Sequence, residues 1–145
     1  MTIAAVLEAL AQLATDALTP SVPGAVVRQQ RPQDGEDLVC LHVLRLAPSE
    51  TTVNRPLPDR RAAPTPALTA QVDVLLSFHG HQGPTMAAAV LTALHQRPVL
   101  IPDGQPVQVQ LQPLTLTDLS AIWAMLDQPH SPCLLYRLGP VPLSQ

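Results

Sequence analysis

Lysine is absent from this chain: all eight basic residues are arginine. Eleven acids set against them give a net charge of -3, and no basic stripe runs along any segment. That excludes a nucleic-acid backbone as the expected partner. Aromatics make up only 2%, one each of Phe, Tyr and Trp, so the core must be built from Leu, Val, Ile and Ala. Two cysteines, Cys40 and Cys133, are too few for a disulfide scaffold. Each sits in a strand-like run and reads as a small buried apolar residue; a disulfide or metal pair is the sharper alternative. No apolar run approaches the ~18–20 residues of a membrane span, so direct membrane insertion is not expected. The first residues lack a positive segment and include Glu8 and Gln12, so no signal peptide is expected. The expected setting is cytoplasmic and reducing.

Catalytic signatures are missing too. There is no G-x-S-x-G, no phosphate-cradling glycine loop and no C-x-x-C. Glu36-Asp37 lies in a turn and reads as a solvated tip. His79-Gly80-His81 is the one arrangement that could hold a metal, since alternate strand residues point the same way. It lacks a third ligand nearby, and Gly80 favours a solvated turn. His42, His95 and His130 are scattered and read as core or surface residues. No catalytic, cofactor or metal residue is expected, and the chain is read as not an enzyme.

What is present is proline, 17 residues in 145, which stiffens loops and marks element ends. The length fits one domain over 1–145. Ile3, Val6, Leu7, Leu10 and Leu13 or Ala14 recur at helical spacing behind Thr2, and Leu18-Thr19-Pro20 stops that helix. Ala25 to Arg31 is a short strand, and Asp34-Gly35 suggests a hairpin into a strand over Leu38 to Ala47. On that strand Cys40, His42, Leu44 and Leu46 share one face, and Val39, Leu41, Val43 and Arg45 the other. Leu68 to Phe78 alternates as a half-buried strand. Pro84 opens a helix that Arg97-Pro98 ends. Val99 to Ile101 is a short strand candidate. Val107, Val109 and Leu111 alternate with Gln108, Gln110 and Gln112, as on an edge strand with a wet face. Thr117 is the expected cap of a last helix carrying Leu119, Ile122, Trp123 and Leu126. Cys133 to Leu138 is the last strand, ended by Gly139-Pro140, and Val141 to Gln145 is a tail that hangs free or pairs with another chain.

Residues 48–67 are the least regular. Pro48, Pro56, Pro58, Pro64 and Pro66 fall here, with Asn54, Arg55, Arg60 and Arg61. The segment reads either as a solvated proline-rich loop or as an arm that orders against a neighbouring subunit. The expected class is α+β: a mixed sheet of four to six strands packed with three helices.

Three blocks carry a resemblance. They are Ile3 to Leu10; Leu75-Leu76-Ser77-Phe78 with the helix from Ala87 to Leu100; and Leu119 to Leu126 followed by Pro129 and Cys133-Leu134-Leu135-Tyr136-Arg137. Val53-Asn54-Arg55 matches a short Asn-Arg element. Together they resemble the N-terminal domain of the Pvc16-like proteins, cap or tail-terminator components of phage-tail-like contractile injection systems. Cys40-Leu41-His42 departs from an aromatic-rich run expected there. The resemblance implies a tail-terminator-like fold and a structural role. A homo-hexameric ring would end the inner tube and secure the last sheath ring, with itself, tube protein and sheath protein as partners. Such a protein would be cytoplasmic during assembly and then part of the particle. Asn54, Arg55, Arg60, Arg61, Gln108, Gln110 and Arg137 become candidate subunit or tube contacts. Strand addition by Val107 to Leu111 or by the C-terminal strand is a route to such contacts. Another tail component, such as a baseplate or adaptor protein, is the alternative, and a small-ligand module or enzyme a more distant one.

Overall fold

A computed structural model describes residues 2–49 and 68–143. The elements are α1 (Ile3–Leu18), β1 (Val26–Gln29), β2 (Leu38–Pro48), β3 (Thr69–His79), α2 (Gly83–Gln96), β4 (Val99–Leu100), a single 3-10 turn (Pro102–Gly104), β5 (Val107–Gln112), α3 (Leu116–Leu126) and β6 (Cys133–Pro142). The six strands form one mixed sheet in the order β1-β2-β3-β6-β5-β4. This is the expected α+β class with three helices among the described residues.

The helix α1 forms where its spacing predicts. The Thr2 hydroxyl accepts the Ala5 N–H at 3.1 Å, and Val6, Leu10, Ala14 and Leu18 are buried four residues apart. With α2 it covers one face of the sheet over Val39, Leu41, Val72, Val74, Leu76, Phe78, Tyr136 and Leu138. The helix α3 covers part of the opposite face, where Trp123 and Leu126 pack on Leu75 with Leu44, Cys133 and Leu135.

Five local expectations are corrected. β1 and β2 run parallel, with Val26 opposite Leu38, so Asp34-Gly35 makes no hairpin. A tight hairpin turn of that type needs positive φ at its glycine, and Gly35 is not among the positive-φ glycines. Because β1 has only four residues, the eight between the strands can retrace it.

β3 is buried on both faces rather than half-buried, because β2 and β6 flank it and helices cover it from both sides. Its polar residues are engaged there: Asp73 with Arg137, and Ser77 with His79. In β2 a bulge falls between Val43 and Arg45. Leu44 is the extra residue, so the alternation flips and Arg45 joins the face of His42 and Cys40 instead of that of Val43.

The cap of α3 is Thr115, not Thr117. The Thr115 hydroxyl accepts the Asp118 N–H at 3.1 Å, and the Asp118 carboxylate accepts the Thr115 N–H at 3.0 Å. Finally, β6 continues past Gly139-Pro140, whose peptide bond is cis, to Pro142. Val141 pairs with Ala70, and the Leu143 N–H reaches the Leu68 carbonyl at 2.9 Å. β6 is therefore an inner strand, paired with β3 from Cys133 to Pro142 and with β5 from Leu135 to Gly139.

The Tyr136 hydroxyl lies in this core with no hydrogen-bond partner among the described residues, and burial pushes its pKa up to about 12. A buried hydroxyl without a partner carries a desolvation penalty of ~1–3 kcal/mol. Tyr136→Phe is therefore expected to raise stability by about 1 kcal/mol, read as a higher urea midpoint at unchanged slope. A lower midpoint would show that the hydroxyl contributes a bond.

Candidate functional site

The sheet face that α3 leaves uncovered carries a charged row across four strands. Arg45 of β2 stands opposite Asp73 of β3, Asp73 opposite Arg137 of β6, and Arg137 opposite Gln110 of β5. Directly opposed residues in antiparallel strands project to the same side, so the four side chains form one line. Arg137 grips Asp73 with two donors, Nε to Oδ1 at 2.9 Å and Nη2 to Oδ2 at 3.4 Å. The Asp73 side chain is 12% exposed and that of Arg137 35%. A two-pronged guanidinium–carboxylate contact fixes geometry better than a lysine could. Arg45 is exposed and makes no ion pair with a described residue.

Beside the row runs an open groove of about 410 Å³ between the sheet and the start of α3. Leu44, Ile122 and Leu135 give it an apolar wall, and Arg45, Asp73 and Arg137 give it a charged floor. The position of α3 is set at both ends. The Thr115–Asp118 box holds its start, and the Arg31 guanidinium donates to the Leu126 carbonyl at 2.8 Å near its end. A cation there also complements the helix dipole.

Of the sequence-predicted contact residues, Gln108, Gln110 and Arg137 share this face, and Gln110 and Arg137 are neighbours in the row. Asn54, Arg55, Arg60 and Arg61 lie outside the described residues. Arg45 and Asp73 were missed. Arg45 sits one residue past the bulge, and Asp73 looked like part of a wet strand face. The expected edge character of β5 holds in part. β4 pairs only through Val99 and Leu100, and the Val109 N–H reaches the Pro98 carbonyl at 2.8 Å. Beyond that point the ladder on this side of β5 stops.

The other chemical candidates resolve into structure. His79 is buried at the end of β3 rather than solvated. Its Nε2 lies 2.8 Å from the Ser77 hydroxyl, and its Nδ1 3.4 Å from that of Ser131. Burial lowers the His79 pKa, and Asp34 partly opposes this. Ser77 is fully buried, and the Ser–His contact lies within the packed sheet. His81 follows the left-handed Gly80, and its N–H donates to Glu36 at 3.2 Å, so Glu36 is a tie between loops and not a free tip. Among the described residues no three metal-binding side chains come together.

Cys40 and Cys133 flank Ser77 on its two neighbouring strands. Two strand spacings, about 10 Å, separate them, which is beyond the reach of a disulfide. Both are free, and burial pushes the Cys133 thiol pKa up, offset in part by Trp123. Among the described residues no helix is long and apolar enough to cross a membrane.

This mixed six-stranded sheet, with two helices on one face and a third on the other, matches the fold of two solved tail terminators. The sheath/tube terminator of an extracellular contractile injection system, PVC, in its extended state superposes with a TM-score of 0.77 at 18% identity, covering 100% of this chain and 58% of that one. The tube-terminating cap of the anti-feeding prophage gives 0.68 at 17% identity, covering 92% of this chain and 54% of that one. This chain thus spans just over half the length of either. No curated protein sequence matches it. The Pvc16 N-terminal domain family matches residues 3–145, and the chain belongs to that family.

Proposed function

We propose that this chain is a structural, non-enzymatic tail-terminator unit of a contractile injection system. Six copies form a ring that ends the inner tube and secures the last sheath ring. The observation that carries this reading is the family match over residues 3–145, seconded by a fold shared with two terminators. The subunit is suited to assembly. Charged residues are only 13% of the chain, well below the ~25% usual in globular domains, so much of its surface can be buried against other proteins.

The contacts of the ring and tube fall to Gln108, Gln110 and Arg137 on the open sheet face and to Asn54, Arg55, Arg60 and Arg61 of the 48–67 segment. The partners are further copies of the chain, tube protein and sheath protein. Assembly takes place in the cytoplasm, and the ring becomes part of the particle.

Electron microscopy of the purified protein mixed with tubes tests the reading. Six-fold rings at tube ends, and tubes that lengthen without limit in its absence, are the expected result. A protein that stays monomeric and leaves tube ends bare overturns it. The triple change Arg55→Ala, Arg60→Ala, Arg61→Ala is expected to cut end occupancy at least tenfold while the circular dichroism spectrum stays unchanged. Full occupancy would remove the 48–67 segment from the interface.

A further inference from the structure

We infer that α1 of one copy docks on the Arg45–Asp73–Arg137 row of the next, carboxylates against guanidiniums. The inference rests on the ring reading above and specifies which two faces meet.

The outer side of α1 carries Glu8, Gln12 and Asp16, all exposed and four residues apart. Residues at that spacing form one stripe along a helix. The Gln12 amide donates to Asp16 at 2.9 Å, which holds the stripe in order. Its sequence of groups is carboxylate, amide donor, carboxylate. The row on the sheet is guanidinium, carboxylate, guanidinium. The two patterns are complementary position by position, with an amide donor above the one carboxylate of the row.

The spacings agree as well. Eight helical residues separate Glu8 from Asp16, about 12 Å along the axis. Two strand spacings separate Arg45 from Arg137, about 10 Å. Arginine side chains are long enough to take up the difference.

The remaining acids point the same way. Asp73 and Asp118 are held by Arg137 and by the α3 cap, and Glu36 takes the His81 N–H. Asp103 and Asp127 occupy left-handed turn positions. Glu8 and Asp16 are the described acids left exposed along a helix, Asp16 taking only the amide of Gln12 within its own stripe. The stripe lies on the helix layer of one sheet face, and the row lies on the other face. Two different faces meeting head to tail make a heterologous contact, the kind that builds a ring when the rotation between successive copies closes.

The test uses the full chain in native mass spectrometry and size exclusion at low salt. Three variants, Arg45→Glu, Glu8→Arg and Asp16→Arg, all change exposed side chains, and circular dichroism confirms that each folds. Each is expected to self-associate at least tenfold more weakly than the parent. Mixing Arg45→Glu with one of the two α1 variants is expected to restore rings in which the two proteins alternate, and the α1 variant that succeeds identifies the residue facing Arg45. Variants that assemble like the parent, or mixtures that never recover, overturn this docking while leaving the ring reading in place. A parent protein that neither self-associates nor occupies tube ends overturns both.

Discussion

Replacing Phe78 by alanine is expected to destabilise the fold by about 3–5 kcal/mol, the range for removing a buried aromatic ring. Phe78 is the only phenylalanine, and it has no exposed surface. It lies next to the buried end of β3, pairs across to Val39, and shares its cluster with Met86 of α2. Its N–H also donates to the Pro132 carbonyl at 2.9 Å, which anchors the entry to β6. The other core residues nearby are mostly Val and Leu and cannot swell to fill the space. Small domains are stable by only ~5–15 kcal/mol, so this one change removes a large share of the total. The denaturant midpoint should fall at constant slope, and the melting temperature by roughly 10 °C. Phe78→Leu, which keeps most of the volume, should cost less than about 1.5 kcal/mol. A loss below 1 kcal/mol for alanine would mean that the ring is not packed as described.

That ring was easy to place from sequence, and the functional face was not. Local signals were legible wherever one element decides its own fate. The spacing of Val6, Leu10 and Ala14 and the stop at Pro20 located α1. The Val and Gln alternation of 107–112 located β5 with its wet side. Signals failed where a neighbour decides. Asp73 and Ser77 alternate with apolar residues and so mimic a solvated strand face, and His79 beside Gly80 mimics a solvated turn. Only the order of the sheet puts them inside. The sense of β1 against β2 depends on the backbone of Gly35 and on a carbonyl, that of Asp37, accepting the Val26 N–H.

The charged row needs three strand registers at once. It also needs the bulge at Leu44, because without it Arg45 would point to the helix side. Arg137 and Gln110 were nominated separately, but nothing in their spacing along the chain shows that they are neighbours. Arg45 could have been found only by predicting that bulge, and Asp73 only from the order of the sheet. The family, by contrast, was legible in three scattered blocks, because helix and strand patterns in a fixed order survive when individual contacts do not.

Gly80→Val is expected to cost about 3 kcal/mol or more, and its effect should travel to the groove. Gly80 has φ of +103°, a conformation that side chains with a Cβ rarely adopt, with a strain of ~1–3 kcal/mol. A Cβ there would also stand 2.9 Å from the Asp37 nitrogen and 2.9 Å from the Glu36 Cα, both backbone atoms that cannot rotate away. The 30–37 connection would have to move, breaking the Glu36 bond to the His81 N–H. The same connection carries Arg31, whose guanidinium holds the Leu126 carbonyl 95 residues away in sequence. Displacing it therefore loosens the end of α3, the helix that walls the groove beside the arginine row. Hydrogen exchange should show this as faster exchange at His81 and in the last turn of α3, with α1 unchanged. Gly24→Ala is the control. A Cβ at Gly24 meets nothing within 4 Å, so its effect should stay within about 0.5 kcal/mol. If Gly80→Val proves as mild as that control, the packing of the connection against the β3–α2 turn is wrong. The histidine pair around Gly80 owes its pattern to this turn: one imidazole is packed inside the sheet, and the other residue offers its N–H to the loop that positions α3.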